Sequence, residues 1–122
     1  MDLVLLGLGD NGHTASLFPG TPVLKEKERW ADEVYVAEQD LYRVTMTAPL
    51  LNEAAKVAFL VAGGGKAGVL REVLHGPREV ERLPAQLISP RDGELLWLID
   101  LAAAAQLPWL TATACRIRSR LY

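Results

Sequence analysis

Three short apolar runs, residues 3–6, 57–62 and 95–99, each give way to a loop rich in glycine or headed by aspartate. The first run has no polar alternation, which predicts a strand buried on both faces. Between the second and third runs, Val69, Leu70, Val73 and Leu74 fall at helical spacing, and Gly76-Pro77 closes that helix. Strands that alternate with glycine-rich loops and helices point to a parallel α/β sheet. Further elements fill the gaps. Residues 34–36 and 43–47 read as β-rich pieces, and Pro49 is placed to open a helix over residues 50–55. One helical turn is expected over residues 14–18, ended by Pro19, and an alanine-rich helix over residues 101–106. Prolines at 77, 84 and 90 mark residues 77–94 as loop.

The chain is 122 residues long, room for one domain. Half of its residues are hydrophobic and 23% charged, which excludes a disordered polyelectrolyte. Thirteen basic residues stand against fifteen acidic ones, so no global basic field suggests nucleic acid. The apolar runs are far shorter than the ~20 residues a bilayer helix needs, so no membrane partner is expected. Met1-Asp2 lacks the basic flank of a signal peptide, and Cys115 is the only cysteine. Both point to a reducing compartment, and a cytoplasmic location is expected.

The loop after the first strand invites three chemistries. Gly7-Leu8-Gly9-Asp10-Asn11-Gly12 has the dinucleotide spacing, with Asp32 twenty residues beyond. That fingerprint needs a long helix from its third glycine, and Pro19, Gly20 and Pro22 interrupt one. Gly63-Gly64-Gly65-Lys66 resembles a phosphate loop, but Leu60 and Ala67 stand where a Walker motif needs glycine and a hydroxyl. Its amides and ammonium remain suited to a sugar phosphate, or to a plain turn with a solvated lysine. Ser16 near His13 suggests a nucleophile, yet Thr14 and Phe18 occupy the flanking glycine positions of an elbow. Ser16 is expected to cap or line the loop. His75 lies at a helix C-terminus, a favourable place for a solvated ring. Two isolated histidines without carboxylate or cysteine spacing give no metal site.

Residues 3–20, LVLLGLGDNGHTASLFPG, closely resemble the signature loop of the 6-phosphogluconolactonases, Gly-x-Gly-x-Asp-Gly-His-Thr-Ala-Ser-Leu-Phe-Pro. The resemblance continues in order through Arg43-Val44-Thr45-Met46-Thr47, Pro49, Leu51-Asn52, Phe59-Leu60-Val61, Lys66-Ala67, Pro84-Ala85-Gln86 and Gly93-Glu94-Leu95-Leu96-Trp97-Leu98. Glucosamine-6-phosphate deaminases share the Gly-x-Gly-x-Asp-Gly-His core, but carry Asn-Glu-Pro where this chain has Ser16-Leu17-Phe18-Pro19. The resemblance implies an α/β fold: a Rossmann-like parallel sheet flanked by helices. It also implies hydrolysis of 6-phospho-D-glucono-1,5-lactone to 6-phosphogluconate, in the oxidative pentose phosphate pathway, without metal or organic cofactor.

The same resemblance assigns roles. His13 becomes the general base, taking a proton from water and returning one to the ring oxygen, a task suited to imidazole. Lys66 and Arg43 become candidates for the substrate phosphate, each with a solvated surface charge as the alternative. Asn52 matches a position near the site, or serves a helix surface. Gly7, Gly9 and Gly12 would let backbone approach the sugar.

Two departures matter. Position 11 is Asn where the family has Asp; an amide can orient His13 but cannot charge-stabilise its imidazolium. The matching region starts at residue 2, so the N-terminal part of the family fold is expected to be missing and the chain truncated. Residues 1–107 then form the C-terminal portion of a family domain, and residues 108–122, with Arg116, Arg118 and Arg120, a divergent basic tail, either an exposed strand or disordered. Such a fragment could be non-catalytic and self-associate or pair with a separate N-terminal half, driven by the exposed flank of its first strand.

Overall fold

The computed structural model describes residues 1–108 and the backbone of residues 114–119. The three apolar runs become β1 (Val4–Leu6), β4 (Lys56–Val61) and β5 (Glu94–Asp100). They pair in parallel, with Val4 beside Val57 and Val57 beside Leu95. Parallel neighbours need a crossover, and α2 (Ala67–His75) supplies one between β4 and β5. The backbone of β6 (Ala114–Ser119) adds an antiparallel strand beside β5, giving the order β1-β4-β5-β6. Part of the tail is therefore a strand. Residues 109–113 and 120–122, Arg120 among them, lie outside the described residues.

One face of this sheet makes the core. Val4, Leu6, Val57, Phe59, Val61, Leu95, Trp97 and Ile99 alternate onto it, and Phe59 stacks on Trp97 with centroids 4.0 Å apart. Leu70 and Val73 of α2 close over them, fully buried at the helical spacing the sequence predicts. The opposite face differs from the expectation of a strand buried on both sides. Leu3, Leu5, Leu60 and Leu98 are exposed there, Leu5 at 59%, while Ala58 and Leu96 on the same face are buried.

β2 (Ala31–Val36) and β3 (Leu41–Met46) form a separate antiparallel hairpin, turned at Asp40 with φ +47°. Three helical expectations are corrected. The helix opened by Pro49 is a single turn, α1 (Ala48–Leu51). Residues 14–18 form a tight turn bridged from Thr14 to Leu17, since Ala15 sits at φ +50°, outside helical space. Residues 101–106 are successive turns rather than a helix. The Asp100 carboxylate accepts from the Ala103 amide at 2.8 Å and the Gly63 amide at 3.1 Å, and Pro108 disfavours helical geometry just before it. The loop expected over residues 77–94 is present up to residue 93, with one 3-10 turn (Pro84–Leu87), and Glu94 already starts β5. In that turn the buried Gln86 accepts from the Glu79 amide at 2.7 Å and ties the loop to α2 by donating to the Val73 carbonyl at 3.4 Å.

Candidate active site

The site is built at the C-terminal end of β1, where chain direction turns abruptly out of the sheet. Leu8 and Leu17 are buried and anchor the two ends of the loop, so the polar residues between them are held against the core by apolar contacts. Thr14, itself buried, donates its hydroxyl to the Gly7 carbonyl at 2.7 Å. The Gly9 amide donates to the His13 carbonyl at 2.8 Å, and the Gly12 amide to the Gly9 carbonyl at 3.0 Å. Gly12 adopts φ +82°, a conformation that favours glycine, and its carbonyl accepts from the Ala85 amide at 2.9 Å. The loop is thus tied to the segment around Pro84.

Its purpose in the fold is to aim one imidazole. The Asn11 side-chain oxygen lies 3.1 Å from the His13 backbone nitrogen and 2.5 Å from His13 Nδ1. A backbone N–H can only donate, so the atom facing it must be the amide oxygen, which fixes how Asn11 is turned. The same oxygen then accepts from Nδ1–H, which leaves Nε2 with the free lone pair. Phe18 stacks on the other side of the ring, with centroids 4.4 Å apart and planes 22° apart. The ring is half-buried.

Charge and burial together keep that ring neutral. Burial is the largest influence and lowers the His13 pKa below the ordinary 6.5; the Lys66 ammonium lowers it further, Asp10 opposes, and Arg43 adds a weaker lowering. Lys66 and Arg43, from separate elements, therefore both act on the histidine. Lys66 ends the glycine turn after β4, where Gly63 has φ +95° and its amide is held by Asp100. The Lys66 ammonium meets Asp10 at 2.8 Å, which holds the Asp10 carboxyl below the usual range. Asp10 favours the protonated ring through its field, while its direct partner is Lys66. Arg43 is exposed on β3, with its guanidinium bonded to Gln39 at 2.8 and 2.5 Å.

Asn52 is differently employed. Its amide nitrogen donates to the Leu87 carbonyl at 3.0 Å and its oxygen accepts from the Ser89 amide at 2.7 Å. Both ends pin the loop before β5. Ser16 donates its backbone amide to Thr45 Oγ1 at 3.1 Å, consistent with a loop-lining residue. Sequence reasoning missed Phe18 as the ring's stacking partner, and nothing in the spacing marks it. It also missed the Lys66–Asp10 pair, whose members lie far apart in sequence. Among the described residues no group of three His, Cys, Asp or Glu side chains converges as a metal site.

Gly9 leaves no room for a side chain unless the His13 ring moves. A Cβ there would lie 2.0 Å from His13 Nδ1, inside the space the ring occupies. Gly9→Ala is expected to push the imidazole off Asn11 and to destabilise the chain by about 1–3 kcal/mol. Denaturant unfolding together with the His13 ring chemical shifts checks this; a variant unchanged in both would contradict the packing described.

The sequence pattern described as glucosamine-6-phosphate isomerases/6-phosphogluconolactonase matches residues 1–97. A 6-phosphogluconolactonase of Rattus norvegicus is 44% identical over 104 residues, covering 84% of this chain and 40% of that protein. One from Synechocystis is 47% identical over 107 residues, covering 87% and 43%. The solved 6-phosphogluconolactonase from Trypanosoma brucei superposes with a TM-score of 0.77 at 30% identity, covering 88% of this chain and 43% of that one. A monomeric glucosamine-6-phosphate deaminase gives a TM-score of 0.72 at 26% identity, covering 87% and 48%. The chain spans less than half the length of these relatives. With sequence and fold in agreement across most of its residues, the chain belongs to the family of glucosamine-6-phosphate isomerases and 6-phosphogluconolactonases.

Proposed function

We propose that this chain carries the catalytic loop of a lactone hydrolase, acting on 6-phospho-D-glucono-1,5-lactone in the oxidative pentose phosphate pathway of the cytoplasm. The observation that carries the reading is the Asn11–His13 contact, which leaves a neutral Nε2 free to act as base. Nε2 takes a proton from water as its oxygen bonds to the lactone carbonyl carbon, forming a tetrahedral oxyanion. The carbonyl then reforms, the bond from carbon to ring oxygen breaks, and the imidazolium returns its proton to that oxygen. Lys66 and Arg43 are the cations proposed for the substrate phosphate. Gly7, with open space beside it, would let backbone approach the sugar, while Gly9 and Gly12 contribute by packing against His13 and Leu83. Asn52 contributes indirectly, by holding residues 87–89 in place. Two features support the lactonase over the deaminase branch: the Ser16-Leu17-Phe18-Pro19 continuation, and the 44–47% identity to relatives named as lactonases.

A second reading is favoured by a separate observation. The exposed row of Leu3, Leu5, Leu60 and Leu98 suits a module that is inactive alone and pairs with itself or with a separate N-terminal half. Sedentation of the purified chain would be a poor discriminator without activity, so the two are measured together by analytical ultracentrifugation and lactonase assay. An active monomer refutes pairing as a requirement. An inactive chain that gains activity only in a complex supports it.

For the lactonase reading, His13→Ala is expected to lower kcat by about 10²–10⁴-fold, the usual worth of a positioned base. Because the His13 pKa is depressed, neutral imidazole persists below pH 6.5, and the acid limb of the rate profile should fall there. Asn11→Asp supplies the carboxylate the family pattern has; it should raise the plateau rate and move the acid limb to higher pH. Full activity in His13→Ala, or an unchanged rate and profile in Asn11→Asp, would defeat this assignment.

A further inference from the structure

The Lys66–Asp10 ion pair has a consequence for ligand affinity. Lys66 is three-tenths exposed and Asp10 is 85% exposed, with nitrogen and oxygen 2.8 Å apart. The ammonium is held from behind: the Gly63 turn is fixed by the Asp100 carboxylate, and Ala67, next in the chain, is buried at the start of α2. Asp10 sits in a loop fixed at Gly9 and Gly12, but its own side chain is the more exposed of the pair. It projects from the loop between Gly9 and Asn11, and borders a separate cleft of about 550 Å³ that Lys66 does not line, bounded also by Asn11, Gly68, Val69, Glu72 and Arg82. In that cleft Arg82 is already paired with Glu72 at 2.8 Å and with Glu79, so its charge is neutralised locally. Lys66 is thus a cation whose present anion is easily rehydrated and released.

We propose that Asp10 sets the affinity of this site for phosphate-bearing ligands by competing with the ligand's phosphate for the Lys66 ammonium. The proposal rests on the reading of Lys66 as the phosphate residue and extends it to a neighbour that opposes binding. When a phosphate arrives, the Lys66–Asp10 contact breaks, the carboxylate returns to water, and the phosphate oxygens take the ammonium. Asp10 also repels a dianion placed beside it. Both effects fall hardest on a phosphorylated ligand, whose dianion they oppose, and far less on gluconate, whose only charge is its carboxylate. A charge at this position therefore weakens binding of product as well as substrate, which favours release.

The test is equilibrium binding of 6-phosphogluconate and of gluconate to the full chain at about pH 8, well above the histidine range. Asp10→Asn should bind 6-phosphogluconate ~2–5-fold more tightly than the parent, a size set by the modest worth of exposed ion pairs. Gluconate affinity should change far less, and added salt should shrink the difference. Asp10→Glu, which keeps the charge, should restore the parent value. In a Lys66→Met background most of the gain from Asp10→Asn should vanish. The proposal is overturned if Asp10→Asn binds 6-phosphogluconate no more tightly than the parent, or if both ligands tighten alike. A parent chain that binds 6-phosphogluconate no better than gluconate instead refutes the phosphate reading of Lys66, and is recognisable as that separate failure.

Discussion

One amide oxygen organises the chemistry of this loop. Asn11 Oδ1 accepts from the backbone N–H of His13 and from its ring Nδ1–H, so a single side chain sets both the backbone turn and the tautomer. The ring is then gripped on a second side by Phe18 and left no room to retreat toward Gly9. An imidazole constrained this way presents one nitrogen for proton transfer without reorganising as it reacts. What Asn11 lacks is charge. It orients the ring without stabilising the imidazolium, and the surroundings lean the same way, since burial, Lys66 and Arg43 all disfavour the protonated form. The arrangement suits a base that must be neutral when water arrives, and asks more of it once the proton has been taken.

The scaffold explains why the loop can be held so closely. β1 sits at the edge of three parallel strands, and its C-terminal end opens where α/β sheets place their sites. Lys66 leaves the neighbouring strand at the same end, which brings two distant stretches of sequence within ion-pair reach. The sheet's other face, with its exposed leucines, plays no part in that geometry.

Much of this was legible in the residues. The apolar runs placed β1, β4 and β5, the spacing of Leu70 and Val73 placed α2, and the ordered resemblance singled out His13 and Lys66, which the fold brings to the same end of the sheet. Local pattern failed where a long-range partner decided the outcome. Alanines 102–105 have high helix propensity, yet the Asp100 carboxylate bridging Ala103 and Gly63, with Pro108 beyond, leaves only turns. Ala15 carries no signal of its positive φ. Asn52 matched a family position, but only coordinates could reveal that both ends of its amide serve the 87–89 backbone. The Asp10–Lys66 pair was hidden for the same reason: two charges in a sequence do not declare whether they meet.

The account stands most directly on the protonation state of one ring. Nitrogen-detected NMR of the chain labelled at histidine, with His13→Ala to assign the signals, reports which nitrogen carries the proton and where the ring titrates. The predicted spectrum has Nδ1 protonated and Nε2 bare at neutral pH, with a midpoint below 6.5. A ring protonated at Nε2, or one titrating above that value, would contradict it.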